Sequence, residues 1–416
     1  MSVQPRRNRS GACLLLSLLV LTVACGGEGT VSDTEPAPGA STMRHEPVYP
    51  GERGGAEPVR PVEVARVTSG DDGEPPFYRA GPQAIAPDGT VYLLDLATGE
   101  IRLFGPDGTP TGTLGGPGQG PGELSEVVTT LAVAADRLIA VDELNGRLSI
   151  WGLDGEFREV VPFPTHPEDN GRVAYLELWG LSDGSLAGLY SRPSAGRQVL
   201  AAVVADSGGR PVAELARMSS RQTRALVGGR AAPIPVVRPV PQLAVDHDDG
   251  IYFTGAEEYE VTAFDRSGAR RWELQVDWGR DPLPAEEVDR ALGASAEMLR
   301  AMGEAPEVDA SSVENVPDRL PALGAIKVDG HGHLWVFPYV YWDPRDPASL
   351  PPMVPVDVYD SAGERLYAGR IPSRFALHVD QDPAWSVAWR DSVWGIETDL
   401  DTGEQSLVRH RLEEPF

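Results

Sequence analysis

Short apolar runs, separated by turns rich in glycine and aspartate, follow one another from residue 60 to the end of the chain. In one recurring pattern, an Asp/Gly-rich turn separates an apolar residue from an apolar pair that begins six positions later. This pattern occurs at Ile85–Tyr92, Val245–Tyr252 and Val328–Trp335, and versions one residue shorter occur at 133–139 and 181–186. Asp-Gly between two apolar runs is typical of a β-hairpin. The pattern therefore predicts hairpins at all five places.

A second pattern places a glycine four positions after an apolar, usually aromatic, residue. It occurs as Phe104 and Gly108, Trp151 and Gly155, Val204 and Gly208, Phe264 and Gly268, and Tyr359 and Gly363. Each of these hairpins follows one of the first kind, so the predicted unit has four antiparallel strands. Such a sheet cannot bury both faces alone, and radial stacking of similar sheets solves that problem. The predicted units span 82–115, 130–163, 176–216, 241–278 and 321–372.

The two ends of this region complement each other. The last part has apolar runs at 385–389, 393–396 and 407–412, which supply three strands and lack a fourth. Near the beginning, residues 62–67 alternate between apolar and polar side chains and have no neighbouring partner strand. If this strand completes the last sheet, no sheet edge stays exposed. We therefore predict an all-β fold, a six-bladed β-propeller in which the N-terminal strand closes the last blade.

The residues that predict this architecture also resemble those of NHL-repeat-like six-bladed β-propellers of the bacterial lipoprotein type. The two hairpin patterns, the linker at 115–124 and the run Val328–Val336 carry the resemblance, which covers residues 61–416. Propellers of this kind include binding scaffolds, lyases and lactone hydrolases. The resemblance thus implies an architecture and leaves the activity open.

The first 24 residues have the three parts of a cleaved export signal. Arg6, Arg7 and Arg9 precede an apolar stretch at 12–20, and small residues follow just before Cys25. The apolar stretch is too short to span a bilayer. The end of the segment resembles a bacterial lipobox, although Thr22 stands where Leu is usual. The resemblance implies that Cys25 is lipidated and holds the protein on a lipid bilayer of the cell envelope, outside the cytoplasm.

The residues after Cys25 predict a tether. Residues 25–60 are rich in Gly, Pro, Glu, Ser and Thr and have almost no apolar pattern, which indicates a disordered segment. The predicted organisation is therefore a signal peptide at 1–24, a tether at 25–60 and a propeller at 61–416.

Charge and cysteine content exclude several classes of function. The formal net charge of −26 repels phosphate backbones, so we expect no nucleic-acid partner. Cys13 and Cys25 are the only cysteines of the chain, and both lie near its N-terminus. The predicted propeller therefore contains neither a disulfide nor a thiolate metal site.

Every long connection of the predicted propeller lies between the second and third strands of a blade or between two blades. These connections share one face, and insertions on one face of a repeat array usually mark its working face. The insertion at 281–320 contains a helical pattern from Pro284 onward, either a cap over the channel or a helix packed on a neighbouring loop. The candidate ligand-binding residues on this face are Tyr78, Arg79, Glu123, Arg172, Tyr175, Arg238, Tyr341, Trp342 and Arg345.

Two signals on the opposite face imitate metal sites. His331 and His333 fall in a turn where sister blades carry Asp-Gly, and the calcium-loop-like run at 246–250 continues straight into a strand. We therefore predict no metal, no cofactor and no catalytic residue. The first hypothesis is a binding or protein-interaction scaffold for an unknown ligand or envelope protein. The alternatives are a metal-assisted lyase or hydrolase with its site in the channel, and a structural subunit of an envelope complex.

Overall fold

The computed structural model describes residues 41–49, 56–67, 75–164, 174–194, 197–220, 223–227, 230–301, 308–343, 349–376, 386–399 and 402–413. These residues fold mostly into β-strands, and short turns join the strands within many of the hairpins. Sheets of four antiparallel strands fit the blades of a propeller.

Six such sheets occur in the described residues, and we number them in chain order. Two strands precede the first sheet: β1 (Ser41–His45) and β2 (Arg60–Arg66). The first sheet contains β3 (Ala80–Ile85), β4 (Val91–Asp95), β5 (Glu100–Phe104) and β6 (Pro110–Gly115). The second contains β7 (Val128–Ala134), β8 (Arg137–Asp142), β9 (Arg147–Gly152) and β10 (Phe157–Pro162). The third contains β11 (Ala174–Gly180), β12 (Leu186–Ser194), β13 (Arg197–Ala205) and β14 (Pro211–Ser220).

The remaining elements are given in the same order. Two strands follow the third sheet: β15 (Arg224–Val227) and β16 (Arg230–Pro233). The fourth sheet contains β17 (Gln242–Val245), β18 (Ile251–Thr254), β19 (Glu260–Phe264) and β20 (Arg270–Val276), and it is followed by helix α1 (Glu286–Ala301) and strand β21 (Val308–Glu314). The fifth contains β22 (Leu323–Val328), β23 (Leu334–Pro338), β24 (Met353–Tyr359) and β25 (Arg365–Pro372), and it is followed by helix α2 (Ser373–Ala376). The sixth contains β26 (Val387–Trp389), β27 (Ser392–Thr398) and β28 (Gln405–Glu413).

The sixth sheet takes its fourth strand from the other end of the chain. Its strand order is β2–β28–β27–β26, and β2 pairs antiparallel with β28 from Arg60 opposite Glu413 to Arg66 opposite Val408. The orphan strand predicted near residue 62 is therefore a strand, and its partner is β28, the last strand of the described residues.

The core lies between neighbouring sheets. Each of six buried apolar clusters draws its side chains from two sheets that follow each other in sequence, or from the sixth and the first. The sixth-to-first cluster packs Trp394 and Leu407 against Val91 and Phe104. Burying both faces of each sheet in this way removes apolar surface from water without disulfides.

The glycine spacing found in the sequence has a conformational cause. Gly108, Gly155, Gly268 and Gly363 have φ between +84° and +87°, a region that glycine enters without steric penalty. All four lie in the turn between the third and fourth strands of a sheet. In the third sheet the left-handed residue is Gly209 rather than Gly208.

Part of the predicted tether is folded, which corrects the sequence prediction for residues 41–49 and 56–59. Strand β1 pairs in parallel with β20, from Ser41 opposite Trp272 to His45 opposite Val276, and becomes the fifth strand of the fourth sheet. Further along, Val59 is buried and its N–H donates to the carbonyl of Arg370 over 3.0 Å. The composition of this segment could not reveal these contacts, because the partner strands lie more than 200 residues away in sequence.

Two long connections fold into one small unit, called the insertion unit below. It consists of the sheet β16–β15–β21 together with α1. Strands β15 and β16 belong to the connection between the third and fourth sheets, whereas β21 and α1 belong to the next connection. The unit has its own apolar core around Ala225, Ile234, Val236, Ala291 and Leu292.

Candidate functional site

A buried carboxylate, Glu287, joins three segments of the insertion face, the face that the long connections are predicted to share. It lies in the first turn of α1, where the helix dipole favours negative charge. Its Oε1 accepts a hydrogen bond from the backbone N–H of Val237 over 2.8 Å. Its Oε2 accepts from Nε of Arg290 over 2.7 Å and from the hydroxyl of Tyr341 over 3.3 Å. Because Glu287 is fully buried, these donors replace the water that it loses.

Tyr341, a predicted ligand-binding residue, contacts this carboxylate, whereas Arg238 and Trp342 each follow one of its hydrogen-bond donors in the chain. Tyr341 is half-buried, and burial together with the charge of Glu287 raises the pKa of its hydroxyl. Arg238 follows the backbone donor Val237 and is also half-buried. Trp342 packs against the core between the fifth and sixth sheets. The structure thus brings Tyr341 and the segment of Arg238 together through Glu287.

Tyr78 and Arg79 lie at a different part of the face, in the connection that enters the first sheet. The backbone N–H groups of both residues donate to the buried carboxylate of Asp95, over 3.0 and 3.1 Å. The side chain of Tyr78 is 56% exposed and lines an open groove of about 630 Å³ with Arg66, Phe77 and Glu397 among its other walls. Arg79 donates from Nη2 to the carbonyl of Leu96 over 3.2 Å, so it also stabilises the connection.

Two predicted site residues make structural contacts, and for Tyr175 its burial corrects the prediction of ligand contact, whereas for Glu123 ligand contact remains a prediction. Tyr175 is fully buried and donates its hydroxyl to the carbonyl of Gly209, and burial raises its pKa. A side chain enclosed in this way has no surface for a ligand. Glu123 is exposed, but its Oε2 accepts from the N–H of Gly120 over 2.7 Å and holds the glycine-rich loop closed.

Three further predictions lie outside the described residues. They are the lipidated Cys25 and the candidate ligand-binding residues Arg172 and Arg345. They remain predictions.

The metal-like motifs on the opposite face are hairpin turns held by aspartates. Oδ2 of Asp329 accepts from the indole N–H of Trp335 over 2.8 Å and contacts Nδ1 of His333 at 3.0 Å. Asp246 does the same in the fourth sheet, where its Oδ2 accepts from the hydroxyl of Tyr252 over 2.7 Å. Within the part of the chain that the structure describes, no three His, Cys, Asp or Glu side chains converge to hold a metal ion.

An oppositely charged pair lies among the first strands of the sheets, and sequence analysis missed it. Glu177 is on β11 of the third sheet and Lys327 is on β22 of the fifth, and the two charges interact electrostatically. Burial raises the pKa of Glu177 to about 7, opposed by the Leu243 N–H and the Lys327 charge. Burial likewise lowers the pKa of Lys327 to about 8, opposed by Glu177.

One signal could have revealed this pair. Lys327 is the only lysine of the chain, and it interrupts an otherwise apolar strand. The informative property is this position inside a strand.

Comparison with known proteins does not assign a family. No protein-family model and no curated protein matches the sequence. Among solved structures, a putative exported protein from Bacteroides fragilis is 11% identical, with 90% of this chain and 99% of that chain covered and a TM-score of 0.47. A member of the DUF4221 family from Bacteroides vulgatus is 11% identical, with 86% and 98% covered and a TM-score of 0.44.

A third solved structure is the calcium-binding protein regucalcin from Agrobacterium tumefaciens. It is 12% identical, with 84% of this chain and 93% of that chain covered and a TM-score of 0.36. At such identities and scores, none of the three indicates what this chain binds. Separately, none of the helices in the described residues has the length and apolar character needed to cross a bilayer.

Proposed function

We propose that this chain is a lipid-anchored, extracytoplasmic six-bladed β-propeller that binds a ligand or an envelope protein on its insertion face. The contact of the first strands supports the ring: β3 contacts β7, β7 contacts β11, β11 contacts β17, β17 contacts β22, and β26 contacts β3. The apolar cluster between the sixth and first sheets supports its closure, with β2 as the fourth strand of the last blade.

The observation that carries the binding proposal is the insertion unit. Two connections that need only link neighbouring blades instead pair with each other, since Leu226 on β15 lies opposite Asp309 on β21. Ordering so many residues costs conformational entropy, and burial of the unit's own apolar core offsets this cost. A connection does not need this construction, whereas a fixed recognition surface does.

The chemistry at the edge of this unit favours an anionic or carbohydrate-like ligand. Tyr341 and Arg238 lie at the junction of the unit with the fifth sheet, within an acidic chain of net charge −26. An arginine supplies directed donors to carboxylate, sulfate or phosphate oxygens, and a tyrosine supplies a flat face with a polar tip. The lipid anchor at Cys25 would hold this surface at a membrane outside the cytoplasm.

The test compares the two faces of the propeller in the full chain. One variant carries R238A and Y341F, and the matched control carries H247A and H331A on the hairpin face, where both histidines are exposed. Variants with unchanged melting temperatures are titrated with a panel of acidic glycans and small organic anions. Losing one charge-assisted contact should weaken binding by about tenfold or more.

The opposite result would contradict the proposal. If the histidine variant loses binding and the insertion-face variant keeps it, the ligand occupies the hairpin face. If wild-type protein binds none of the panel and no envelope protein, the insertion unit has another role.

A further inference from the structure

The outer edge of the first sheet is an exposed strand. β6 is the last strand in the order β3–β4–β5–β6, and within the described residues it pairs only with β5. Five of its six residues are exposed. A Cβ added to Gly112 would meet no described atom within 4 Å, so the space beside the strand is open. Backbone groups on the free side of such an edge can pair with a further strand.

β6 also lacks the charges that the other outer strands carry. Among the fourth strands of the six described sheets, it alone has no charged side chain. β10, for comparison, carries Arg158, and β14 carries Arg217. Charges on an edge strand oppose pairing with another strand. Pro110 and the adjacent bulge protect only the start of β6, so Thr111–Gly115 is left as an unprotected edge.

Outer edges elsewhere in this protein are covered by extended segments. Strand β1 adds in parallel to β20 on the outside of the fourth sheet. On the fifth sheet, residues 56–59 lie beside β25, where the N–H of Val59 donates to the carbonyl of Arg370 over 3.0 Å. The hydroxyl of Tyr367 donates to the carbonyl of Glu57 in the same segment over 2.6 Å. The outside of a blade in this fold therefore accepts one more extended segment.

The surroundings of β6 favour one sign of charge in such a segment. A hollow of about 190 Å³ beside Gly112 and Thr113 is bounded by Pro76, which also lines the groove of about 630 Å³ described above. Arg102, in the smaller hollow, is ion-paired with Glu100 at 3.0 Å. The charged residues that line the larger groove are Arg66, Glu397, Asp399 and Glu404. Carboxylates therefore outnumber cations there, which favours a basic partner.

We propose that β6 accepts an extended, basic segment of a partner protein as a fifth strand of the first sheet. The backbone of the segment pairs along Thr111–Gly115, and its basic side chains lie toward the carboxylates of the groove beyond Pro76. A second copy of this chain fits less well, because each copy carries a net charge of −26. The edge belongs to the first sheet and not to the insertion unit, so the proposal does not depend on ligand binding there.

The first experiment uses a fluorescent peptide, Arg-Thr-Val-Thr-Val-Thr-Arg, and the full chain in detergent. Fluorescence anisotropy should show that it binds about tenfold more tightly than a peptide with Glu in place of both Arg residues. Two further basic peptides are N-methylated, one at the odd and one at the even positions. A strand pairs with its neighbour through alternate residues, so one of these should lose binding and the other should keep it.

Hydrogen exchange locates the bound peptide. The amides of residues 110–115 should exchange more slowly when the basic peptide binds, because pairing protects those on the free side of β6. The amides of β10, the outer strand of the second sheet, serve as the internal control and should exchange at an unchanged rate.

Matched variants test the edge and the groove separately. Thr111 is exposed, so T111K and T111E should melt as wild type does. T111K should weaken binding of the basic peptide by about threefold or more, whereas T111E should not. In the groove, E404Q should also weaken this binding. E364Q removes an exposed carboxylate from the fifth sheet and should leave binding unchanged.

Three results would overturn the proposal. Absence of binding by the basic peptide at about 1 mM would mean that the edge accepts no such segment. Equal binding of both N-methylated peptides would mean that charge alone holds them, without strand pairing. A full chain that sediments as a dimer, with T111K monomeric, would assign the edge to a second copy.

Discussion

The hydroxyl of Tyr259 donates a hydrogen bond to Oδ2 of Asp357 over 2.6 Å, and the two residues belong to neighbouring sheets. Tyr259 precedes β19 in the fourth sheet, while Asp357 lies in the middle of β24 in the fifth. Both side chains are buried, and the hydroxyl of Tyr359 lies 3.2 Å from that of Tyr259. Burial and the neighbouring Asp357 raise the pKa of Tyr259, so the phenol remains a donor at physiological pH. This contact joins two blades by a polar bond within an apolar interface.

Replacing Tyr259 with Phe should therefore destabilise the fold. The substitution leaves a buried carboxylate with one donor fewer, which costs on the order of 1–3 kcal/mol. Denaturant unfolding monitored by circular dichroism measures the difference. Y339F is the matched control, since the Tyr339 hydroxyl makes no hydrogen bond to the described residues. Equal stability of the two variants would show that the Tyr259 bond contributes nothing.

Acid should weaken the junction between β2 and the sixth sheet. Glu397 contacts His410, Arg66 and Arg374 at 3.4, 2.6 and 3.0 Å. The hydrogen bond from His410 and then that from Arg66 lower the pKa of Glu397 from 4.5 to about 2, although burial opposes the shift. The folded protein thus binds this proton more weakly than the unfolded chain does. The resulting stabilisation is present above pH 4.5 and is lost as the pH falls toward 2.

The variant E397Q tests this pH dependence. Its free energy of unfolding should be lower than that of wild type near pH 4.5, and the difference should shrink as the pH approaches 2. Urea unfolding across this range measures both proteins under the same conditions. A difference that stays constant over the range would mean that the Glu397 carboxylate does not stabilise the junction through its charge.

Removing β2 should destabilise the whole body. Deletion of residues 60–66 exposes the edge of β28 and breaks the Arg66–Glu397 ion pair. Deletion of residues 26–40 removes only part of the predicted tether and serves as the control. Thermal unfolding should show a large fall in melting temperature for the first deletion and almost none for the second. Equal melting temperatures would show that the pairing of β2 with β28 does not stabilise the body.

Lipidation of Cys25 is tested in cells. The cationic, apolar and small-residue run before Cys25 predicts acyl transfer to its thiol. C25A should lose incorporation of a labelled fatty acid and move from the membrane fraction to the soluble fraction. C13A is the matched control, because Cys13 lies within the apolar part of the signal. This substitution should leave both the labelling and the membrane fraction unchanged. Membrane retention of unlabelled C25A would contradict the lipoprotein prediction.

The sequence was most informative where local physics decides the structure. Glycines such as Gly108 and Gly268 are required by left-handed turns, so their spacing revealed the hairpins and the four-stranded units. Contacts between distant segments left no comparable trace. The parallel pairing of Met43 with Leu274 and the pairing of Leu226 with Asp309 depend on tertiary packing, which periodicity does not report.

The candidate site was predictable only as a face. Topology placed the long connections together and thereby selected Tyr341 and Arg238, which the structure links through Glu287. The same reasoning included Tyr175, because a tyrosine near a long connection looks like one available to a ligand until its burial is known. Glu177 and Lys327 escaped it because they lie 150 residues apart, on the first strands of two different sheets.

The parallel strand β1 gives the protein a mechanical property that matters if its N-terminal side is anchored as proposed. Tension transmitted from the N-terminal side of Ser41 pulls β1 lengthwise along β20, so the five residue pairs from Ser41–Trp272 to His45–Val276 resist together in shear. Peeling a strand from its end would instead break its bonds one after another. Forced unfolding is governed by the rate of barrier crossing, and simultaneous rupture raises that barrier. Drag on the body would therefore load the edge of the fourth sheet before it reached the β2–β28 junction.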